Sequence, residues 1–399
     1  GSGAITKLCH VPGPAPERKV LTLAILAGTG METQAMQMVQ DFNQSGTELR
    51  IEATVYSEEQ AENTLDFLRT QIMAGDSPDL FAFYSDGNQA PPLEPRVVCA
   101  DLRPLLPDVT ETVLLPGLFD LLTQDGTLYA LPLTVRVDTL IMPSNLIDHP
   151  GVTLSDLEAA REKMPDDWVA VDSWNTPKNL FALTAAFCIG RFTDRKNGTC
   201  NFETQEFYDL LDWCKRWGGN GSTPETPEKT LLKRGWISSL SWLSGREDIA
   251  KEWFDGAGYT YAGYPVGSGG SAYLVLTSLG VSASCRDMGG AKALLEYCFS
   301  CEQESGLPAN MDALRKEFVQ YKLGNRTDWY GNPETITDAD EAKFMELLNS
   351  ITVLEGMDKP LEDILCEEAD VYFAGGCTAQ QAAKNIQSRA SLYLQEQYQ

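Results

Sequence analysis

"KVLTLAILAGTGMETQAMQMVQDF" (residues 19–42) decides how the chain begins to fold. Residues 19–27 are β-branched and leucine-rich, which predicts a strand. Thr29 and Glu32 then stand at capping-box spacing, and Met31, Ala35, Met38, Val39 and Phe42 recur at helical intervals. Working outward, "LRIEATV" (49–55) predicts a second strand. Ser57 and Gln60 cap a helix carrying Leu65, Leu68 and Ile72, which Gly75 ends, and "DLFAFYSD" (79–86) is a third strand. This β-α-β-α-β order is the unit of an open, mostly parallel sheet with helices on both faces, an α/β fold. Ligands of such sheets sit beyond the carboxyl ends of the strands, where "AGTGMET" and "YSDGNQ" lie. The first of these lacks the third glycine of a dinucleotide fingerprint, so it reads as a glycine turn into a helix.

Composition removes several classes of function. With 399 residues the chain exceeds one ordinary core, and two or three lobes are expected. A net charge of −26 repels phosphate backbones, and the densest basic run, Lys215-Arg216, makes no patch, so no nucleic-acid partner is expected. No window reaches the roughly 18 consecutive apolar residues of a membrane span. Residues 1–18 read as a tag remnant (Gly1-Ser2-Gly3) followed by a Pro-rich flexible linker. Ten cysteines are scattered, and only Cys298 and Cys301 form a C-x-x-C. With two histidines in the chain a zinc site lacks its second ligand pair, and the two thiols read as small apolar residues on one helix face; no metal and no cofactor is expected.

Catalytic groups are thin. His10 falls in the linker and His149 in a turn beside Pro150, neither near a recognisable nucleophile, so no catalytic residue is assigned. Tryptophan is more telling. Trp168, Trp174, Trp236, Trp242 and Trp253 include several in glycine- and serine-rich stretches, such as "DSWNTP" and "RGWISSLSWLSG". An aromatic face bordered by amides, hydroxyls and carboxylates suits a sugar, although each tryptophan alone is as readily core.

Three further stretches carry a resemblance. "GTLYALPLTVRVDTLIMPSNLI" (126–147) resembles the first interlobe crossing of the extracellular solute-binding proteins of ABC importers, family 1 (maltose-binding-protein-like). "GLPANMDAL" (306–314) resembles the segment after their late crossover. The tail, "EEADVYFAGGCTAQQAAKNIQSRASLYLQEQY", is similar to their C-termini, with Thr378 and Gln381 at capping-box spacing and one apolar face of Ala379, Ala382, Ala383, Ile386, Ala390 and Tyr393.

The resemblance implies a two-lobed periplasmic-binding-protein-like fold of type II, with a hinge between lobes and the ligand held as they close. It implies an N-terminal lobe of 19–131 plus 272–315 and a C-terminal lobe of 132–271 plus 316–399. By position, Phe83, Tyr84 and Asp86 line one wall, and Arg136, Trp174, Trp236 and Trp242 the other. Arg136 falls where sugar binders of the family often carry a glutamate. Paired with a carboxylate it shapes the cleft; unpaired it implies an acidic sugar or other anion.

The implied role is that of a non-enzymatic, monomeric sugar-capturing component that hands its ligand to ABC permease subunits. Its place is the outer face of the membrane, lipid-anchored, or the periplasm; Cys9 is the candidate lipid site, and only where a signal sequence precedes it. The competing class is an acid–base enzyme such as a glycoside hydrolase on the same scaffold.

Overall fold

The structure, a computed structural model, describes residues 18–26, 32–56, 62–85, 95–123, 126–194, 197–226, 228–267, 269–302, 305–355 and 358–398. The readings placed on Cys9, His10, the Thr29 cap, the Ser57–Gln60 cap and Asp86 fall outside these residues.

The opening β-α-β-α-β unit forms as β1 (Lys19–Leu26), α1 (Glu32–Gln44), β2 (Leu49–Tyr56), α2 (Glu62–Met73) and β3 (Leu80–Tyr84). β1 pairs in parallel with β2 on one side and β3 on the other. Gly75 ends the second helix in the left-handed conformation, at φ +81°.

Two longer strands extend this sheet, β4 (Leu131–Pro143) and the later Ala272–Val281. Between them come β5 (Lys233–Ile237) and β6 (Tyr259–Tyr261), so Ala272–Val281 is β7; β8 (Leu307–Pro308) and β9 (Val353–Leu354) complete the set. The order is β8-β4-β7-β3-β1-β2, with β5 and β6 also on β4 and β9 on β7. The sheet is mixed, not mostly parallel: three pairings are parallel, but β3–β7, β4–β7, β4–β5, β4–β6 and β4–β8 are antiparallel. The β4–β7 register shifts around Pro132 and Thr134, where a proline cannot supply its ladder donor.

This one sheet serves two pairs of cores. β1, β2 and β3 place Leu21, Leu23, Leu80 and Tyr84 in one apolar cluster and Ala24, Leu26, Phe81 and Phe83 in the cluster opposite. Further along β4, Leu140 and Met142 enter a third cluster, while Val135, Val137 and Ile141 enter a fourth. The chain reaches each half more than once. The first cluster also holds Leu279–Cys298 residues, and the third also holds Leu361, Leu365 and Ile386.

The glycine loop before β7 is folded tightly on itself. Gly263 has φ +76°, and a Cβ there would stand 2.5 Å from the Gly270 carbonyl carbon. Downstream, α3 (Met288–Ser300) packs against the first half, and Asn310 caps α4 (Met311–Lys322) by accepting from the Asp312 amide at 2.9 Å.

The chain's last helices are α5 (Lys359–Phe373) and α6 (Ala379–Tyr398), packed on each other. Gly375 takes φ +81°, and Thr378 Oγ1 accepts from the Gln381 amide at 3.2 Å, as the spacing predicts. Ala379, Ala382, Ala383, Ile386 and Ala390 are buried in the third cluster, with Tyr393 half-buried against it. Among the described residues no helix is long and apolar enough to cross a membrane.

Candidate functional site

Between the two pairs of cores, β4 carries an interruption in an otherwise apolar run. Leu133 belongs to one half and Leu140 to the other; Arg136 and Asp138 stand between them, both buried. Residues two apart on a strand share a face, so both side chains rise from the same side of the sheet. On neighbouring β5, Trp236 pairs with Asp138 and Arg234 with Leu140, which brings those side chains to that face as well. Glu355 arrives just after β9, its amide bonded to the Tyr273 carbonyl of β7 at 2.7 Å.

The result is a compact charged cluster under one indole. Arg136 Nε donates to Asp138 Oδ2 at 2.7 Å, and its Nη2 lies 3.6 Å from Glu355 Oε2. Arg234 Nη2 lies 3.8 Å from Asp138 Oδ1. Both guanidiniums sit over the Trp236 ring, Arg234 at 4.1 Å and Arg136 at 5.4 Å from its centre, within cation–π range. Trp236 itself stays 50% exposed while Asp138 is fully buried. A half-exposed indole held between guanidiniums over a buried carboxylate offers aromatic surface beside charge.

Burial pushes the Glu355 carboxyl up to about 8, helped by the neighbouring Asp138 charge and opposed by the arginines. Asp138 is also raised by burial, against the pull of Arg136 and Arg234. Two acids this close cannot both ionise freely, so the pair holds a proton to higher pH than ordinary carboxyls do. Several atoms here find no hydrogen-bond partner among the described residues: Arg136 Nη2, Arg234 Nε, Asp138 Oδ1, Glu355 Oε2 and the Tyr264 hydroxyl. Buried polar atoms ordinarily have partners, so such a concentration marks a place built for something polar.

Arg136 and Trp236 therefore come together, as the sequence reading expected. Arg136 is paired with a carboxylate, the condition under which it shapes the site: Nε bonds Asp138, and Nη2 lies 3.6 Å from Glu355 without a hydrogen bond to it. Trp174, 51% exposed, sits in the loop before the helix Pro177–Phe192; Asp172 of that loop meets Lys233 of β5 at 3.1 Å, so the loop flanks the same strand.

The other expectations go elsewhere. Phe83 and Tyr84 are each 2% exposed and face opposite cores, Tyr84 with its hydroxyl on the Met38 sulfur at 3.8 Å. A strand buried on both faces has no side chain left to line a wall. Trp242 lies in the turn after β5 and stacks on Arg246 at 3.7 Å, with Tyr261 behind it. Trp168 is core, stacked on Phe254, and Trp253 packs against the same Arg246.

Asp138, Arg234 and Glu355 were missed. The first two had a signal, the charged alternations Arg136-x-Asp138 and Arg234-x-Trp236 inside strands. Glu355 had none, because it arrives from a distant segment.

Two surface cavities lie away from this cluster. One of about 590 Å³ is lined by Glu158, Asp212, Lys215 and Tyr372, and one of about 270 Å³ by Glu247, Tyr259 and Lys343. In the first Lys215 lies over the Tyr372 ring at 4.0 Å, and in the second Lys343 pairs with Glu247 at 3.1 Å. Burial raises both Cys298, to about 12, and Cys301, which disfavours the thiolates a metal would need. Among the described residues no group of three His, Cys, Asp or Glu is placed to hold a metal ion.

Solved structures share this architecture from end to end. The sugar-binding protein MalE from Xanthomonas citri is 15% identical, with 95% of this chain and 98% of that one covered at a TM-score of 0.60. A periplasmic oligogalacturonide-binding protein from Yersinia enterocolitica is 14% identical, covering 95% and 100% at 0.61. An ABC substrate-binding protein from Listeria monocytogenes, in complex with cycloalternan, is 16% identical, covering 94% and 99% at 0.53. The fold is accordingly the two-lobed, periplasmic-binding-protein-like one, with a hinge between lobes. No curated protein sequence matches the chain. The family model for bacterial extracellular solute-binding proteins matches residues 37–306, well over half of the chain. The chain belongs to that family of bacterial extracellular solute-binding proteins.

Proposed function

We propose that the protein captures a carbohydrate on Trp236, between its two lobes, and delivers it to the permease of an ABC importer without chemical turnover. The observation that carries this reading is the half-exposed indole seated on buried Arg136, Arg234, Asp138 and Glu355. A sugar offers a C–H face to the ring and hydroxyls that both donate and accept, matching orphaned donors and acceptors around it. The names of the fold's relatives support the same class: a sugar-binding protein, an oligogalacturonide-binding protein and a cycloalternan complex.

In this reading β4, β7 and the stretch at 310–330 join the lobes, the N-terminal one being 19–131 plus 272–315 and the C-terminal one 132–271 plus 316–399. Trp174 completes the second wall. The protein acts as a monomer outside the cell; a lipid anchor through Cys9 belongs to the same proposal and is tested by mass spectrometry of the protein from its native membrane.

A thermal-shift screen over mono- and oligosaccharides, with product analysis, tests the function. A ligand at a hundred times its Kd adds about 2.7 kcal/mol of stability. Stabilisation without products supports capture; released sugars would establish a glycoside hydrolase instead.

A further inference from the structure

We infer that the sugar taken at Trp236 carries a carboxylate, which the guanidiniums of Arg234 and Arg136 receive beside the indole. The inference rests on the carbohydrate reading above and narrows it to acidic sugars.

The argument is one of partners and charge. Two cations, Arg136 and Arg234, and two acids, Asp138 and Glu355, converge beneath one ring. Asp138 Oδ1 and Glu355 Oε2 both lack a donor among the described residues, and the two carboxyls interact directly. A single proton held between them satisfies both oxygens at once. Asp138, at 2.7 Å from Arg136 Nε, is the partner that stays ionised, and Glu355 carries the proton, consistent with its upward shift to about 8.

With that proton in place the acceptors are satisfied and the donors are not. Arg136 Nη2, 3.6 Å from Glu355, and Arg234 Nε remain without a hydrogen-bonded acceptor, and with Glu355 protonated two positive charges stand against one negative. Tyr264, the other group facing them, is neutral, its hydroxyl raised far above its usual range by burial. A carboxylate supplies what is missing, two acceptor oxygens and one negative charge, in the planar geometry a guanidinium fork matches. Arg234 is the point of entry, its side chain 25% exposed against 11% for Arg136. The −26 charge of the whole chain opposes an anion only at long range, since salt at physiological strength screens within about 8 Å.

Titration calorimetry on the intact protein tests this with galacturonic acid and di- and trigalacturonate against galactose and neutral galactose and glucose oligosaccharides, at pH 6.5 and pH 9. The expected result is binding of an acidic sugar at pH 6.5, at least tenfold tighter than its neutral counterpart. That binding weakens several-fold, to a limit of about tenfold, at pH 9, where most of Glu355 ionises and cancels the excess charge. Glu355→Gln, which keeps the position neutral, flattens this pH dependence. The wild-type pH profile stands on its own if that variant folds poorly. Neutral oligosaccharides binding as well as or better than acidic ones overturns the inference and leaves carbohydrate capture intact. Absence of binding by any sugar overturns both.

Discussion

Phe83 and Trp236 were expected to face each other across one ligand, and the structure gives them opposite fates. Phe83 lies on β3, a strand flanked by β1 and β7 and buried on both faces, and it is 2% exposed. Trp236 lies on β5, beside a β4 whose apolar run is broken by Arg136 and Asp138, and it is 50% exposed. Both are aromatic residues near strand ends. What separates them is the neighbouring strand: an apolar neighbour draws an aromatic ring into the core, whereas charged neighbours leave the ring half exposed.

The sharpest way to break this contrast is to remove each ring. Phe83→Ala leaves a cavity in a closed core and is expected to cost about 3–5 kcal/mol of stability, read as a lower denaturation midpoint. A variant as stable as the parent would show that Phe83 is not packed as described.

Acid–base titration of stability probes the other region. Glu355 holds its proton up to about pH 8 in the folded chain, against an ordinary value of 4.5 in the unfolded one. The unfolded chain therefore loses its proton first as pH rises. Stability is fully present below about pH 4.5, declines through the window up to about 8 and levels off above it. Melting temperature followed from pH 5 to 9 should show that decline, and Glu355→Gln should lessen it; an equal slope in the variant would place the proton elsewhere.

Trp236→Ala should weaken ligand binding at least tenfold, about 1.4 kcal/mol, while the melting temperature of the ligand-free protein hardly moves. If that variant unfolds readily and binds normally, the contrast with Phe83 disappears. The smallest effect is remote from both. Thr378→Ala removes the cap of the final helix and is expected to cost about 1 kcal/mol, seen as a modest drop in melting temperature with binding unchanged.

Local pattern carried much of the fold. Strand and helix periods between Lys19 and Tyr84, the Gly75 stop, the Gly375 stop and the Thr378 cap all depend on neighbours within a few residues, and those are written in order along the chain. The long antiparallel strands were less visible, because β4–β7 pairing joins residues more than a hundred positions apart.

For the site, sequence by itself singled out Trp236, in a glycine- and serine-rich stretch, and Arg136, by its place in the family resemblance. Only the tertiary structure decided that Arg234, Asp138 and Glu355 meet them, that Trp242 turns to Arg246, and that Phe83 and Tyr84 are core. The physical reason is that exposure and protonation are set by what a side chain touches. Strands from four separate stretches had to converge before a tryptophan could become a surface and a glutamate could keep its proton.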